Sequence, residues 1–250
     1  MSEEREEYTR ENYPSFGKKY NGEKAIISLT SWRARINTCS KTLYSLLCQC
    51  PGFHIVLVLS EEEFPNMIDE LPENLKLFVD NELIELMFVY KNYKSFKKIL
   101  FTMDKYRDVP VISADDDCIY KFNYAEVLYN KWVNNKTAFI SFYRTYYKGV
   151  PHTGGYATLH PPYCYGDIVL LLRCSKIDKT EDDNFYTAIR YVKHLKNSIC
   201  FNKNLESVVL IHDEKKPLHD LYRHDRYNTF YRKIDKFVNL INKFYKDIKC

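Results

Sequence analysis

Four short apolar runs, at residues 24–30, 54–59, 84–90 and 109–114, alternate with amphipathic segments, and this alternation most constrains the fold. The runs are almost unbroken in Ile, Leu, Val and Phe, with His54-Ile-Val-Leu-Val-Leu59 the clearest case. Strands of that kind need burial on both faces, which a parallel sheet covered by helices supplies. The segments between them predict those helices. Residues 38–48 put Leu43, Leu46 and Leu47 at helical spacing, and 61–70 predicts a short helix. Residues 95–104 set Phe96, Ile99, Leu100 and Met103 on one side. Asn123 is a predicted N-cap for a helix carrying Ala125, Leu128, Tyr129 and Trp132.

The second half reads differently. Residues 137–146 form a β-like aromatic run, 152–163 a loop-rich insert, and 167–172 an apolar segment. Thr180 is the predicted N-cap of a helix bearing Phe185, Ala188, Ile189, Val192 and Leu195. The acids Glu181, Asp182 and Asp183 suit the positive end of its dipole, at about 0.3–1 kcal/mol each. A late strand is expected at 207–211.

The fourth apolar run ends in Asp115-Asp116-Asp117. Three adjacent carboxylates repel one another, so they contribute nothing to the stability of the strand that delivers them. Alternation along an extended chain would send Asp115 and Asp117 to the same side. Two hard carboxylates beyond the carboxyl end of a buried strand suit a divalent cation and the phosphates it carries, although an acidic turn in water gives the same pattern. The other strand ends carry Thr30, Ser31, Arg33 and Arg35 after the first strand, and residues 91–98 after the third. Cations facing an acid cluster suit an anionic, phosphate-bearing ligand.

Composition narrows the setting. With 45% apolar residues, 22 tyrosines and only seven glycines and nine prolines, a substantial core is available and low complexity is excluded. The eight cysteines show no zinc-type spacing, and with no secretory-type leader read at the start a reducing, cytoplasmic setting is expected. No apolar run approaches the roughly 18 residues that a membrane-spanning helix requires. The net charge of +4 resides in residues 229–250, whose helical pattern puts Phe230, Ile234, Phe237, Val238, Ile241, Phe244 and Ile248 on one face. That helix either lies on the inner face of an anionic membrane or docks on its own domain.

With these motifs placed, the chain resembles the nucleotide-sugar-dependent glycosyltransferases of the A-type fold, in particular the family-2-like bacterial enzymes that build surface polysaccharides. Five segments in order carry the resemblance: residues 27–36, 58–65, 93–100, the Asp-x-Asp motif at 114–117, and the pair 154–162 with 181–183. One departure is that Lys91, Asn92 and Tyr93 stand where relatives often carry an acid near the nucleotide base.

The resemblance implies an A-type nucleotide-binding sheet, mostly parallel and flanked by helices, with an acceptor-side β/loop region. A lead-in over 1–23 would precede one catalytic domain over 24–228, its nucleotide-sugar half at about 24–122 and its acceptor half at about 123–228. The tail helix at 229–250 would follow. Asp115 and Asp117, with His212 as an additional ligand, would hold Mn²⁺ or Mg²⁺. Thr30, Ser31, Arg33, Arg35, Lys97, Asp115 and Asp116 would meet the donor, with Lys98 a further candidate for its pyrophosphate. Asp182, or next Asp183, would act as general base, implying inversion. Gly154, Gly155 and His160 would lie on the acceptor side. The implied partners are a nucleoside-diphosphate sugar, most simply a UDP-sugar, and a glycan or lipid-linked acceptor, with no nucleic acid. The rival readings are a nucleotidyltransferase, disfavoured by the glycine-free segment 28–35, and a non-catalytic carbohydrate-binding module.

Overall fold

The computed structural model describes residues 13–142, 145–152, 158–166, 181–200, 208–210 and 226–247. Its centre is an eight-stranded mixed sheet whose strands lie in the order Ser15–Gly17, Glu85–Val89, Phe53–Ser60, Ala25–Thr30, Val111–Ser113, Thr158–His160, Phe139–Phe142, Asn197–Cys200. The first-half strands β2 (Ala25–Thr30), β3 (Phe53–Ser60), β4 (Glu85–Val89) and β5 (Val111–Ser113) make a parallel block. Helices α1 (Ile36–Leu47), α2 (Glu73–Asp80), α3 (Lys97–Lys105) and α4 (Tyr124–Val133) cover it. The expected parallel, helix-flanked organisation is therefore found in this half.

Alternation along the strands explains the two-sided burial. Ile55, Leu57 and Leu59 of β3 and Leu86 and Phe88 of β4 join one core with α1, α2 and α4. Val56, Val58, Met87 and Val89 join the other, against Phe96, Ile99, Leu100 and Met103 around α3. Both sets are removed from water, so continuous apolar sequence is what the position requires.

Four expectations are corrected. Residues 13–23, assigned to a lead-in, belong to the fold: β1 (Ser15–Gly17) pairs antiparallel with β4, and Tyr13 is buried. In place of one helix over 61–70 there is a turn and a 3₁₀ segment, Met67–Glu70, with α2 following. The run at 137–146 splits into β7 (Phe139–Phe142) and β8 (Thr145–Tyr147); β9 (Val150–His152) runs up to the insert read as loop-rich, and that insert contains β10 (Thr158–His160). β10 fills the sheet between β5 and β7, antiparallel to both, so the second half of the sheet is mixed.

Helix α5 (Asp182–Val192) opens at Glu181, and the predicted cap Thr180 lies outside the described residues, as does the segment 167–172. β11 (Asn197–Cys200) joins β7 in parallel, and β12 (Val208–Leu210) pairs antiparallel with β6 (Cys118–Tyr120). The late strand is thus clipped to the residues that follow the acids.

Helix α6 (Arg226–Asp247) docks on the domain. Ile234, Phe237 and Ile241 are buried in the core shared with α5, and the Phe237 ring meets Phe185 edge-on at 5.8 Å. Lys233 pairs with Glu181, and Asp235 accepts hydrogen bonds from Tyr147 and Lys148. Among the described residues of that apolar face, Ile234, Phe237 and Ile241 are buried against the protein itself, with Val238 and Phe244 partly buried. No helix among the described residues is long and apolar enough to cross a membrane. Phe237→Ala is expected to cost about 3 kcal/mol, seen as a lower urea midpoint. A wild-type midpoint would mean that the helix does not dock in solution.

Candidate functional site

The crevice lies where the parallel strands end. Ala114 donates its N–H to Ser28 O, so the chain leaves the sheet beside β2, and the acids follow in a turn leading into β6. Because the strand stops at Ser113, the alternation expected to pair Asp115 with Asp117 does not govern them. Each acid instead takes its own partner. Asp115 Oδ1 is 2.5 Å from Lys98 Nζ, and Asp117 Oδ2 is 2.5 Å from Arg35 Nη1.

Asp116 turns inward. It is 3% exposed, accepts the Ser31 hydroxyl proton at 2.6 Å, and lies 3.2 Å from Arg35. Thr42 of α1 donates to its backbone carbonyl. Burial pushes its carboxyl up to about 6, against the lowering effect of Arg35 and Ser31. It thereby ties the loop after β2 to the loop after β5. Thr30, at the end of β2, donates its hydroxyl to Val58 O, while Ser31 is occupied with Asp116.

The remaining expected cations are placed differently. Arg33 pairs with Glu70, and its guanidinium lies over the Phe64 ring at 4.9 Å. Lys97 is buried, donates to Asn92 Oδ1 at 2.7 Å and pairs with Glu63 at 3.3 Å. Burial lowers its pKa, with Glu63 opposing. Glu62 accepts the Asn92 N–H, so an acid does stand at the exit of β4, contributed by the loop after β3.

The helix-start acid reaches the same place. Asp182 is 5% exposed and its Oδ2 lies 3.3 Å from Lys98 Nζ, an ion pair without hydrogen-bond geometry. Burial alone would lower the Lys98 pKa, but Asp115, Asp182 and Asp183 outweigh it and hold the ammonium charged. Beside it is a cavity of about 10 Å³, room for one water, lined by residues that include Asp182, Asp183, Tyr186 and His160. His160 is on β10, with Nδ1 2.7 Å from Tyr165 OH, and burial pushes its pKa well down, so the ring is neutral.

The structure therefore brings the expected residues into two adjoining ion-pair groups, Lys98 with Asp115 and Asp182, and Arg35 with Asp116 and Asp117, joined through the backbone of the acid triplet. It leaves Arg33 and Lys97 engaged with acids of the loop after β3. Gly154, Gly155 and His212 lie outside the described residues. Tyr186 and Arg190 at the cavity were not picked out from the sequence. Their spacing of four and eight from Asp182 on one helix face was the available signal.

No family model and no curated protein matches the chain. Among solved structures it is similar to the glycosyltransferase GlyE of Streptococcus pneumoniae TIGR4, at 12% identity over 91% of this chain and 64% of that one, with a TM-score of 0.48. It is also similar to S. aureus TarS 1–349, at 12% identity over 70% of this chain and 57% of that one, with a TM-score of 0.48. The chain spans less than two thirds of the length of either.

Proposed function

We propose that the chain is a glycosyltransferase that moves a sugar from a nucleoside-diphosphate sugar, most simply a UDP-sugar, to a glycan or lipid-linked acceptor with inversion. One observation carries this reading. Lys98 contacts both Asp115, beyond β5, and Asp182, at the start of α5, so a phosphate-side acid and a candidate base share one crevice.

The reaction needs two things there. As the acceptor oxygen bonds to the anomeric carbon, the bond from that carbon to the diphosphate breaks and its electron pair leaves with the diphosphate. The acceptor hydroxyl must lose its proton to a carboxylate within reach, the role given to Asp182 and, failing it, Asp183. Arg35 supplies positive charge on the diphosphate side. Thr30, Ser31 and Asp116 shape that loop, while Arg33 and Lys97 stand beside it, held by Glu70 and Glu63 of the segment after β3. His160 and the segment with Gly154 and Gly155 belong to the acceptor side.

The half-exposed carboxylates of Asp115 and Asp117 are hard oxygen donors and fit Mn²⁺ or Mg²⁺. Among the described residues no group of three or more His, Cys, Asp or Glu gathers to hold a metal, so donor phosphate and water would complete its shell. His212 is a further candidate, two positions beyond a strand whose Leu210 is paired with Cys118. Such a cation would neutralise charge on the departing diphosphate.

A panel of sugar nucleotides, with and without Mn²⁺, tests the proposal. UDP release from one UDP-sugar is expected only with the cation, lost in Asp117→Asn, and the first-formed product should show the inverted anomer by NMR. Full turnover by Asp117→Asn overturns the metal assignment, and no consumption of any donor overturns the function.

A further inference from the structure

We propose that Lys98 is a positioning residue: its ammonium fixes the Asp182 carboxylate against the strand-end acid Asp115, and it does not contact the diphosphate. This deepens, and rests on, the proposed transfer reaction.

Three observations carry it. The first is the rigidity of the lysine itself. Its carbonyl accepts the Ser28 hydroxyl at 2.5 Å, and Ser28 Oγ is also 2.7 Å from Thr102 Oγ1, which pins this turn of α3 to the centre of the sheet. The second is where its charge goes. With 3% exposure, Nζ has Asp115 at 2.5 Å and Asp182 at 3.3 Å, on two different elements. A buried ammonium with two carboxylate partners is not a solvated phosphate hook, and removing it leaves two buried or half-buried acids facing each other.

The third is how little else holds Asp182. Among the described residues Lys98 is its ion-pair partner, and Oδ2 receives no hydrogen bond. The neighbouring Tyr186 OH is likewise buried and, among the described residues, without a hydrogen-bond partner. The cavity beside them, one water in size, leaves that side of the carboxylate without packed protein atoms. Electrostatic attachment to Lys98 is therefore what selects the rotamer that faces the crevice. A base that loses that rotamer loses rate, since a displacement of about 1 Å can cost on the order of 10²-fold.

The experiment compares wild type, Lys98→Met and Lys98→Arg for kcat, donor KM and thermal midpoint. Lys98→Met is expected to lose kcat by about 10²-fold, a larger change than any in donor KM, which Asp115 can shift once it has lost its ammonium partner. Lys98→Arg, with charge kept but displaced, should fall between the two. A wild-type kcat in Lys98→Met, or a loss confined to donor KM, overturns the positioning role in favour of none or of donor binding. Should Lys98→Met fail to fold, Lys98→Arg decides alone: a reduced kcat at unchanged KM supports the proposal, and a wild-type kcat overturns it. Failure of the underlying function shows separately, as a wild-type protein that consumes no sugar nucleotide.

Discussion

Asp182→Asn is expected to lower kcat for sugar transfer by about 10³-fold while leaving donor KM and thermal midpoint close to wild type. The amide keeps the size of the side chain in its buried seat but cannot accept the acceptor's proton. Folding should survive, because Lys98 retains Asp115 as its closer partner at 2.5 Å. The split between kcat and KM is the informative readout. A donor-binding role for Asp182 would raise KM, whereas a base acts after the donor is seated. Asp183→Asn serves as the internal comparison: if its loss exceeds that of Asp182→Asn, the proton goes to the neighbouring carboxylate. If both variants keep wild-type kcat, the first turn of α5 has no part in the chemistry.

The second large effect concerns stability and lies at the opposite ends of the strands. Glu85, the first residue of β4, is 1% exposed, and its carboxylate is surrounded by His54 Nε2 at 2.7 Å, Lys105 Nζ at 2.6 Å and Tyr106 OH at 2.5 Å. Burial alone would raise its pKa, but His54, Lys105 and Tyr106 overcome that and lower it to about 2. A depressed carboxyl stabilises the fold above its ordinary value near 4.5, and that contribution fades as pH falls through about 2. The difference corresponds to about 3 kcal/mol.

Glu85→Ala should cost about 3 kcal/mol near neutral pH, because it takes the acceptor from buried His54 and from half-buried Lys105 and Tyr106. Urea unfolding of wild type and Glu85→Gln over a descending pH series provides the check. The gap between their midpoints should close as pH approaches about 2. A gap that stays constant would mean that the carboxylate's charge contributes nothing there.

Much of this arrangement was legible in the residues. The parallel block was readable because strands buried on both faces are mostly apolar, as in Ile55–Leu59 of β3. The acid triplet marked the right end of that block. What was missed has local causes. β9 and β10 are three residues each, too short for any period to register, and His160 is buried by its place between β5 and β7. β1 gains its strand character only from the edge of β4. The helix α2 did carry a signal, Leu75 and Val79 four residues apart, that went unread. Spacing could not divide the work within the acid triplet either. Which carboxylate turns inward depends on Ser31 and Thr42, residues far away in the chain. The tail was ambiguous for a related reason: a basic amphipathic pattern is the same whether its apolar side meets lipid or Phe185.

The pairing of β12 with β6 also bears on biosynthesis. Leu210 sits opposite Cys118, directly after the acid turn, so the strand leaving that turn waits for a partner translated much later. At ordinary ribosome speeds the interval is on the order of ten seconds. During it the nascent chain exposes an unsatisfied strand edge beside repelling carboxylates, and any prematurely terminated product keeps that edge open for association with other chains.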